Sequence, residues 1–436
     1  MDKREAKNLL HALMTAGTPP PTKAYYLHYT AGEEFRNLAR NFAESITSLS
    51  NGINGYLPRV ILGSIGIGKT HFLRYLYLLL EKEIGNDNKT ICSWIELREL
   101  TDETDFQYLF IKGLSGLHED FPVGTQYKVL LKNMYYQISE SIVSGRNYSP
   151  AQKQIIMRKF LDLLVDTAAA ISPLPHLSVP GKFFAKYVLQ QMRKKQDKDR
   201  IELMRSKDIT EGINQFSQIA FQKEFIYQFI NLGEGNHSDS DFDRHLQDLA
   251  KQSKHNELID LTMKLIYRAG FSRLIIFIDE MEHINSFRTS DTTEKYSERS
   301  AQILNLFHKL HQRMVDHAGQ EKDDSYPSVA QIMVMPDYLL DSVITKIDPA
   351  TAERLSINRF SLPVLPRNDR TTNELIRKIW ELHEFAGYTL KSHAETAIRK
   401  IKVELYEKIN KDRKPATMRH LIPRLIQIVQ QDWIQK

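Results

Sequence analysis

Apolar positions form two kinds of pattern along this chain: short continuous runs, which predict strands, and repeats every three or four residues, which predict helices. Continuous apolar runs over 60–62, 274–278 and 330–335 are typical of strands that are covered on both faces of a parallel sheet. Shorter or more mixed runs over 90–97 and 360–362 predict two further strands. Because helical segments lie between these strands, the pattern predicts an α/β fold built on a parallel sheet.

Helical periods occupy most of the remaining chain. Apolar side chains that are three and four positions apart share one face of a helix, and this spacing recurs over long segments. The predicted helices lie near 33–49, 71–80, 124–145, 182–204, 209–231, 241–268 and 295–317, and beyond 370. Ser149 and Pro150 predict the start of one more helix, because a serine side chain caps a helix N-terminus and proline fits the first helical position.

A glycine-rich segment lies between the first predicted strand and the helix that follows it. It consists of Gly63, Ser64, Ile65, Gly66, Ile67, Gly68, Lys69 and Thr70, and His71 comes next. Glycines permit backbone conformations in which N–H groups point at an anion, and the helix N-terminus adds partial positive charge. Lys69 would contact the β- and γ-phosphates of a nucleotide, and Thr70 would place its hydroxyl on Mg²⁺. The context predicts a phosphate-binding loop; the alternative is a chance glycine-rich turn.

An acidic pair, Asp279 and Glu280, directly follows the predicted strand over 274–278. At the carboxyl edge of the sheet, Asp279 could hold Mg²⁺ opposite Thr70, and Glu280 could orient and polarise the attacking water. The alternative interpretation is an ordinary acidic turn after a strand. The nearby Glu282 could pair with a basic residue or join the outer shell of the metal.

The spacing of these two motifs predicts the domain organisation. They lie about 210 residues apart, so the helices between them are expected to bulge out as a separate subdomain. The predicted parts are an N-terminal arm over 1–24, the first part of a nucleotide-binding core over 25–104, a helical insertion over 105–268, the second part of the core over 269–366 and a helical lid over 367–436.

Composition excludes several classes of protein and leaves the partner open. Cys92 is the only cysteine, which excludes an intramolecular disulfide and a cysteine-rich zinc site and predicts a reducing, cytoplasmic setting. The first residues lack the apolar core of a signal peptide, and no apolar run reaches the roughly 18 residues that span a bilayer, so no membrane partner is expected. Residues 366–436 carry 15 Lys and Arg against 9 Asp and Glu. This basic segment could meet nucleic acid or an acidic protein, or could simply be a solvated helical face.

Several segments together resemble the AAA+ superfamily of P-loop ATPases. They are 63–70, 275–280, 334–336, 351–355 and 414–421. The branch that they resemble most contains the origin-recognition-like ATPases and the related STAND ATPases. Residues 28–38 are similar to the segment that packs near the adenine in that branch. The acidic run over 279–282 is similar to the Asp-Glu-x-Glu of ATP-binding proteins from bacterial phage-exclusion (BREX) and related defence systems.

The resemblance implies an AAA+-like sheet, an ATPase activity with ATP and Mg²⁺ as cofactors, and a homo-oligomer. Arg354 would be an arginine finger that acts in trans on the γ-phosphate of a neighbouring subunit, with Arg359 as the alternate candidate; a salt bridge at a helix end is the structural alternative for both. Arg419 would contact the γ-phosphate from the lid. Members of the family usually carry Asn, Thr or Ser at the end of the fourth strand. This chain carries Met-Pro-Asp at 335–337, so the water-positioning polar group is either missing or is Asp337, and fast hydrolysis is not expected.

Three functions are compatible with these observations. The first is an AAA+ ATPase that assembles on ATP and drives or licenses a protein partner acting on nucleic acid, in a phage-defence or mobile-element system. The second is a STAND-like nucleotide switch that hydrolyses slowly and signals by assembly. The third is a structural subunit with a degenerate site, which the intact Lys69, Thr70, Asp279 and Glu280 disfavour.

Overall fold

A computed structural model gives the architecture of the chain. The structure describes residues 2–15, 32–49, 55–64, 66–85, 89–100, 105–117, 126–143, 149, 152, 155, 222–252, 257–283, 303, 304, 306, 310, 326–345, 349–362, 369–391, 394–412 and 418–435.

Within the described part of the chain, six strands form one sheet. They are β1 (Tyr56–Leu62), β2 (Thr90–Glu96), β3 (Leu114–Gly116), β4 (Arg273–Asp279), β5 (Ser328–Met335) and β6 (Arg359–Ser361). Their order across the sheet is β3-β2-β4-β5-β1-β6. The short edge strand β3 runs antiparallel to β2, and all other neighbours are parallel. The protein is therefore an α/β protein with a mixed, mostly parallel sheet.

Helices surround this sheet. They are α1 (Lys3–Thr15), α2 (Glu33–Thr47), α3 (Lys69–Ile84), α4 (Phe106–Lys112), α5 (Gln126–Val143), α6 (222–234), α7 (Asp239–Gln252), α8 (Glu257–Arg268), α9 (Pro349–Ile357), α10 (Asp369–Phe385), α11 (Ala394–Asp412) and α12 (Met418–Ile428). A turn of 3₁₀-helix over Leu97–Glu99 follows β2, and a helical turn over Asp337–Leu339 follows β5. No helix in the described ranges is long and apolar enough to cross a membrane.

The central strands β4 and β5 are buried along their whole length, which explains why their sequences are continuously apolar. Successive side chains of a strand point to opposite faces, so Leu274 and Ile276 enter one hydrophobic core while Ile275 and Phe277 enter the other. Residues of α4–α9 complete the first core, and residues of α1–α3 and α10–α12 complete the second. The sheet is thus the middle of three layers.

The strand β3 corrects the prediction that 105–268 contains helices only. It follows α4 directly, and the N–H of Trp94 in β2 donates to the carbonyl of Gly113 at 3.0 Å. A Cβ at Gly113 would lie 2.3 Å from the Trp94 oxygen, so only glycine permits this approach of the two backbones. Three residues are too few to display a period of two, and the hydrophobic pattern therefore does not predict the strand.

The described helices of 105–268 also differ from the expected separate subdomain. Phe106 of α4, Leu131 of α5 and Leu265 of α8 are buried in the same core as Ile276 of β4. The predicted run over 241–268 is two helices, α7 and α8. These helices are a layer of the α/β core, because their apolar faces cover one face of the sheet.

The first residues are a packed helix rather than the predicted arm. Leu9, Leu10 and Leu13 of α1 are buried in the core that α10 and α12 also line. Helix α1 is therefore part of the same layer as α10 and α12, although it lies far from them in sequence.

Two predictions outside the sheet can be compared with the structure. Ser149 caps a helix start as expected: its Oγ accepts from the N–H of Gln152 at 3.3 Å, and Gln152 Oε1 accepts from the N–H of Ser149 at 2.9 Å, a reciprocal capping box. In the predicted helix over 295–317, the described residues 303, 304, 306 and 310 are helical and buried. The predicted helix near 182–204 lies outside the described residues.

Candidate functional site

Two of the three glycines of the loop adopt backbone conformations that a Cβ disfavours, whereas Gly63 does not have a positive φ. Gly66 and Gly68 have φ angles of 81° and 109°, a region that side chains with a Cβ rarely enter. The loop begins at the carboxyl end of β1, where the N–H of Gly63 donates to the carbonyl of Met335 at the end of β5. It ends at Lys69, the first residue of α3, so the N-terminus of a 16-residue helix lies behind it. Ile65, the remaining loop position, lies outside the described residues.

Lys69 is buried, with 7% of its surface exposed, and its ammonium group lies within the loop. Its Nζ donates to the carbonyl oxygens of Gly63 at 3.0 Å and Ser64 at 3.2 Å. A buried ammonium is costly unless anionic or polar oxygens surround it. The loop therefore holds a positive charge at its centre, where a phosphate group would supply stronger acceptors than these carbonyls.

Asp279 connects the acidic pair to this loop. It is the last residue of β4, only 3% of its surface is exposed, and its carboxylate accepts a hydrogen bond from the Thr70 hydroxyl. The N–H of Glu280 donates to Asp279 Oδ1 at 2.8 Å. Burial is the main cause that raises the pKa of Asp279 to about 6, and the two hydrogen bonds partly oppose it. The sheet thus brings Thr70 and Asp279 into contact, although they lie about 210 residues apart in sequence.

Glu280 has an unusual backbone. Its φ of 58° is in the left-handed region, and among the described residues no other non-glycine residue has a positive φ. Such a conformation costs roughly 1–3 kcal/mol and occurs preferentially at functional sites. Burial raises the pKa of Glu280, and the positive charge of Arg98 opposes this shift.

Three charged residues that the sequence analysis did not single out form a row of ion pairs that ends at Glu280. Arg98 Nε lies 3.5 Å from Glu280 Oε2, and Arg98 Nη2 is bonded to Glu96 Oε2. Glu96 also lies 3.9 Å from Arg74 Nη2, on α3. What places these residues near the acidic pair is the register of the sheet, in which Glu96 of β2 lies beside Asp279 of β4. No local sequence motif contains this pairing, so the sequence analysis did not find them.

His71 follows the glycine-rich loop on α3 and packs against α2. The His71 ring packs against Phe35 of α2 in an edge-on arrangement with 5.8 Å between ring centroids. Burial and the nearby charges of Lys378 and Arg74 lower the pKa of His71 to about 3, so it is neutral at physiological pH. A neutral imidazole does not add positive charge to a phosphate site.

Charged side chains join α2 to α10 beside His71. Glu374 accepts from the N–H of Gly32 at 3.1 Å and from the Arg36 guanidinium, and Lys378 Nζ lies 3.6 Å from it. A pocket of about 250 Å³ is lined by Glu33, Glu34, Asn37, Arg370, Thr371 and Glu374. The segment resembling an adenine-packing region thus ends in contact with the lid helix.

The arginines to which the resemblance assigns a role lie on elements other than the glycine-rich loop and the acidic pair. Arg354 is half-buried in the last turn of α9, which leads into the edge strand β6, and Arg359 is exposed at the start of β6. Arg419 is in α12, and its side chain lies outside the described part of the chain. The strand β5 lies between β1 and β4, and Asp337 is exposed just after it, in the position where the AAA+ ATPases that the sequence resembles usually carry Asn, Thr or Ser.

The residues of the site fit ATP and Mg²⁺. The loop offers a buried ammonium and N–H groups to phosphates, while Asp279 and Thr70 offer the oxygen ligands that Mg²⁺ prefers. Across the described ranges, no group of three or more His, Cys, Asp or Glu side chains is placed to hold a metal.

Asp279→Asn should stabilise the Mg²⁺-free protein at neutral pH. An acid whose pKa is raised in the folded state loses stability as pH rises from the unfolded value near 4 to the folded value near 6, by roughly 1.4 kcal/mol per pKa unit. Asparagine carries no charge, so the variant should gain about 1–3 kcal/mol over the wild type at pH 7.5 and nothing at pH 4.

The measurement is the melting temperature in EDTA between pH 4 and 7.5, where a gain of about 1–3 °C is expected at the upper end. Asp248→Asn, at an exposed position on α7, controls for the change in net charge. A gain that is equal at pH 4 and pH 7.5 would contradict the assigned cause.

Comparisons of the chain with protein-family models, curated proteins and solved structures find no match. The function is therefore argued from the residues of the site and their geometry.

Proposed function

We propose that this protein is a Mg²⁺-dependent ATPase of the AAA+ type, with its nucleotide site at the carboxyl edge of the sheet. The observation that carries the proposal is the hydrogen bond from Thr70 to Asp279, which joins the glycine-rich loop to the acidic pair. The buried Lys69 ammonium inside the loop and the strained backbone of Glu280 support the same assignment.

Each residue has a role in this proposal. Lys69 and the loop N–H groups bind the β- and γ-phosphates, and Thr70 and Asp279 hold the metal. Glu280 orients and polarises the water that attacks. When bound, ATP supplies the phosphoryl group that is transferred to water, and Mg²⁺ offsets its negative charge.

The proposed assembly and partners follow from the resemblance to AAA+ ATPases. The protein forms homo-oligomers through its nucleotide, and Arg354 completes the site of a neighbouring subunit. The assembly drives or licenses a protein partner that acts on nucleic acid, in a bacterial phage-defence or mobile-element system. The basic lid over 367–436 is the candidate surface for direct contact with nucleic acid.

A second candidate function is a slow nucleotide switch of the STAND type. Two observations favour it: β5 is followed by Pro336 and Asp337 rather than a neutral polar residue, and Glu280 is held in an ion pair with Arg98. Steady-state turnover and nucleotide-dependent assembly, measured on one preparation, separate the two functions. Stable ATP-bound oligomers with very slow turnover would favour the switch.

Lys69→Ala tests the nucleotide site itself. The variant should weaken Mg²⁺–ATP binding about 10- to 100-fold, because it loses charge-assisted hydrogen bonds to phosphate that are worth roughly 1.5–3 kcal/mol. Isothermal titration calorimetry gives the Kd, and Lys82→Ala, an exposed position on the same helix, is the matched control. Equal ATP affinity in Lys69→Ala and the wild type would refute the phosphate-binding loop.

A further inference from the structure

We propose that the exposed face of α1, together with the turn that follows α10, binds the phosphate backbone of duplex DNA. This inference rests on the proposed action on nucleic acid, and it places the contact on side chains outside the nucleotide site. The cationic surface consists of Lys3, Arg4, Lys7 and Lys391, which are all exposed.

The first observation is the orientation of α1. Its apolar side is buried in the core that α10 and α12 also line. The fully exposed side chains between residues 3 and 11 are Lys3, Arg4, Lys7, Asn8 and His11. Because the apolar side fixes how the helix lies, the basic side faces outward.

The second observation is that lysines from both ends of the sequence lie around one turn. Lys3 lies across Gly387, where a Cβ would be 2.7 Å from its Nζ, and Lys7 Nζ is 6.0 Å from the centre of the Tyr388 ring. Lys391 ends the same turn, and its Nζ donates to a backbone carbonyl, that of Asp432, at 2.7 Å. The three ammonium groups therefore belong to one surface.

This turn is held in place by the last described residues of the chain. The N–H of Lys391 donates to the carbonyl of Trp433, and the N–H of Gln435 donates to the carbonyl of Thr389, both at 2.9 Å. The cationic surface thus has a hydrogen-bonded backbone beneath it.

The third observation concerns the charges themselves. Within the described part of the chain, none of the four cations forms an ion pair with a carboxylate. Arg377 and Lys378 of α10 differ in this respect, because they pair with Glu395 and Glu374. An anionic partner would therefore meet four positive charges for which no internal carboxylate competes.

The composition of the surface fits a phosphate backbone. Lysine is depleted in protein–protein interfaces, whereas exposed Lys and Arg neutralise phosphates and release their counterions. Lys3 and Lys7 are one helical turn apart, about 6 Å along the axis, so they can contact neighbouring phosphates of one strand. Single strands are bound through aromatic side chains on which bases stack, but Tyr388 is half-buried beside Lys7, which favours the duplex.

The experiment measures binding of the full chain to a labelled DNA duplex of about 30 base pairs, by fluorescence anisotropy between about 50 and 200 mM salt. The variant Lys3→Gln/Lys7→Gln should bind about tenfold more weakly at about 100 mM salt. The slope of log K against log salt should become shallower by about 2, since each lost phosphate contact removes about 0.9. The Kd for ATP and the melting temperature should stay close to wild type.

Two further pairs of substitutions make this test specific. Lys223→Gln/Lys251→Gln removes the same charge from exposed positions on α6 and α7, on the other face of the sheet, and should leave DNA binding nearly unchanged. Lys3→Arg/Lys7→Arg keeps the charge and should retain the wild-type salt dependence.

Wild-type affinity and salt slope in Lys3→Gln/Lys7→Gln would overturn the inference, and so would an equal loss in Lys223→Gln/Lys251→Gln, because the effect would then come from net charge. A wild-type protein that binds ATP but not the duplex would overturn this inference and leave the ATPase proposal standing. Salt-dependent DNA binding that the α1 variant weakens, in a protein that does not bind ATP, would support the surface and overturn the ATPase proposal.

Discussion

Glu280→Gln should keep Mg²⁺–ATP binding close to the wild-type value and lower turnover by about 10²–10⁴-fold. The substitution removes the carboxylate that polarises the attacking water but leaves Lys69, Thr70 and Asp279 in place. Glutamine has nearly the same shape as glutamate, so the strained backbone at this position is not further disturbed. The variant should therefore remain in its ATP-bound state, and nucleotide-dependent oligomers should persist longer than those of the wild type.

Single-turnover hydrolysis and a parallel binding titration measure these two effects separately. Glu282→Gln is the matched control, because it removes a carboxylate two positions away. Glu282 Oε2 is buried and accepts no hydrogen bond from the described residues, so Glu282 is also the alternative base. Normal hydrolysis in Glu280→Gln together with a large loss in Glu282→Gln would transfer the role to Glu282.

The local elements of the site could be predicted from sequence because each motif contains its own geometry. Gly66 and Gly68 signal positive φ angles, and a continuous apolar run before Asp279 signals a strand that is buried on both faces. Both expectations are confirmed. The start of a helix at Ser149 is confirmed for the same reason, since a cap depends on residues three positions apart.

The arrangement of these elements depends on pairings that no local pattern contains. The hydrophobic period identifies β2, β4 and β5 as strands but does not state which of them are neighbours. Glu96 and Arg98 belong to the candidate site because β2 lies beside β4 in a particular register. The same limit explains α1: its amphipathic pattern predicts a buried face, whereas its partners α10 and α12 come from the other end of the chain.

The number of charged residues in each segment could be predicted from the sequence, but their ion pairs could not. The surplus of Lys and Arg over 366–436 is a property of the sequence, but the ion pairs of Glu374 with Arg36 and Lys378 depend on α2 packing against α10. These pairs place part of the lid charge beside the candidate nucleotide site. Arginine and lysine counts alone therefore overstate the charge that the lid could offer to nucleic acid.

Arg354→Ala should abolish turnover while ATP binding remains nearly intact. Arginine fingers contribute about 10³–10⁵ in rate in other phosphoryl-transfer systems, because a guanidinium spreads positive charge over the transferring phosphoryl oxygens. Arg354 lies at the end of α9, which leads into the edge strand β6.

Mixing is the sharper test of a role in trans. Arg354→Ala and Lys69→Ala should each be inactive alone, but a mixture should recover turnover. In mixed oligomers, some interfaces combine the intact Lys69 of one subunit with the intact Arg354 of its neighbour.

A double variant carrying both substitutions, mixed with Arg354→Ala, is the matched control and should not recover, because no subunit then supplies Arg354. The recovered activity should disappear on dilution below the concentration at which oligomers form. An inactive mixture, under conditions where mixed oligomers are detected, would exclude Arg354 as a trans finger and make the exposed Arg359 at the start of β6 the residue to substitute next.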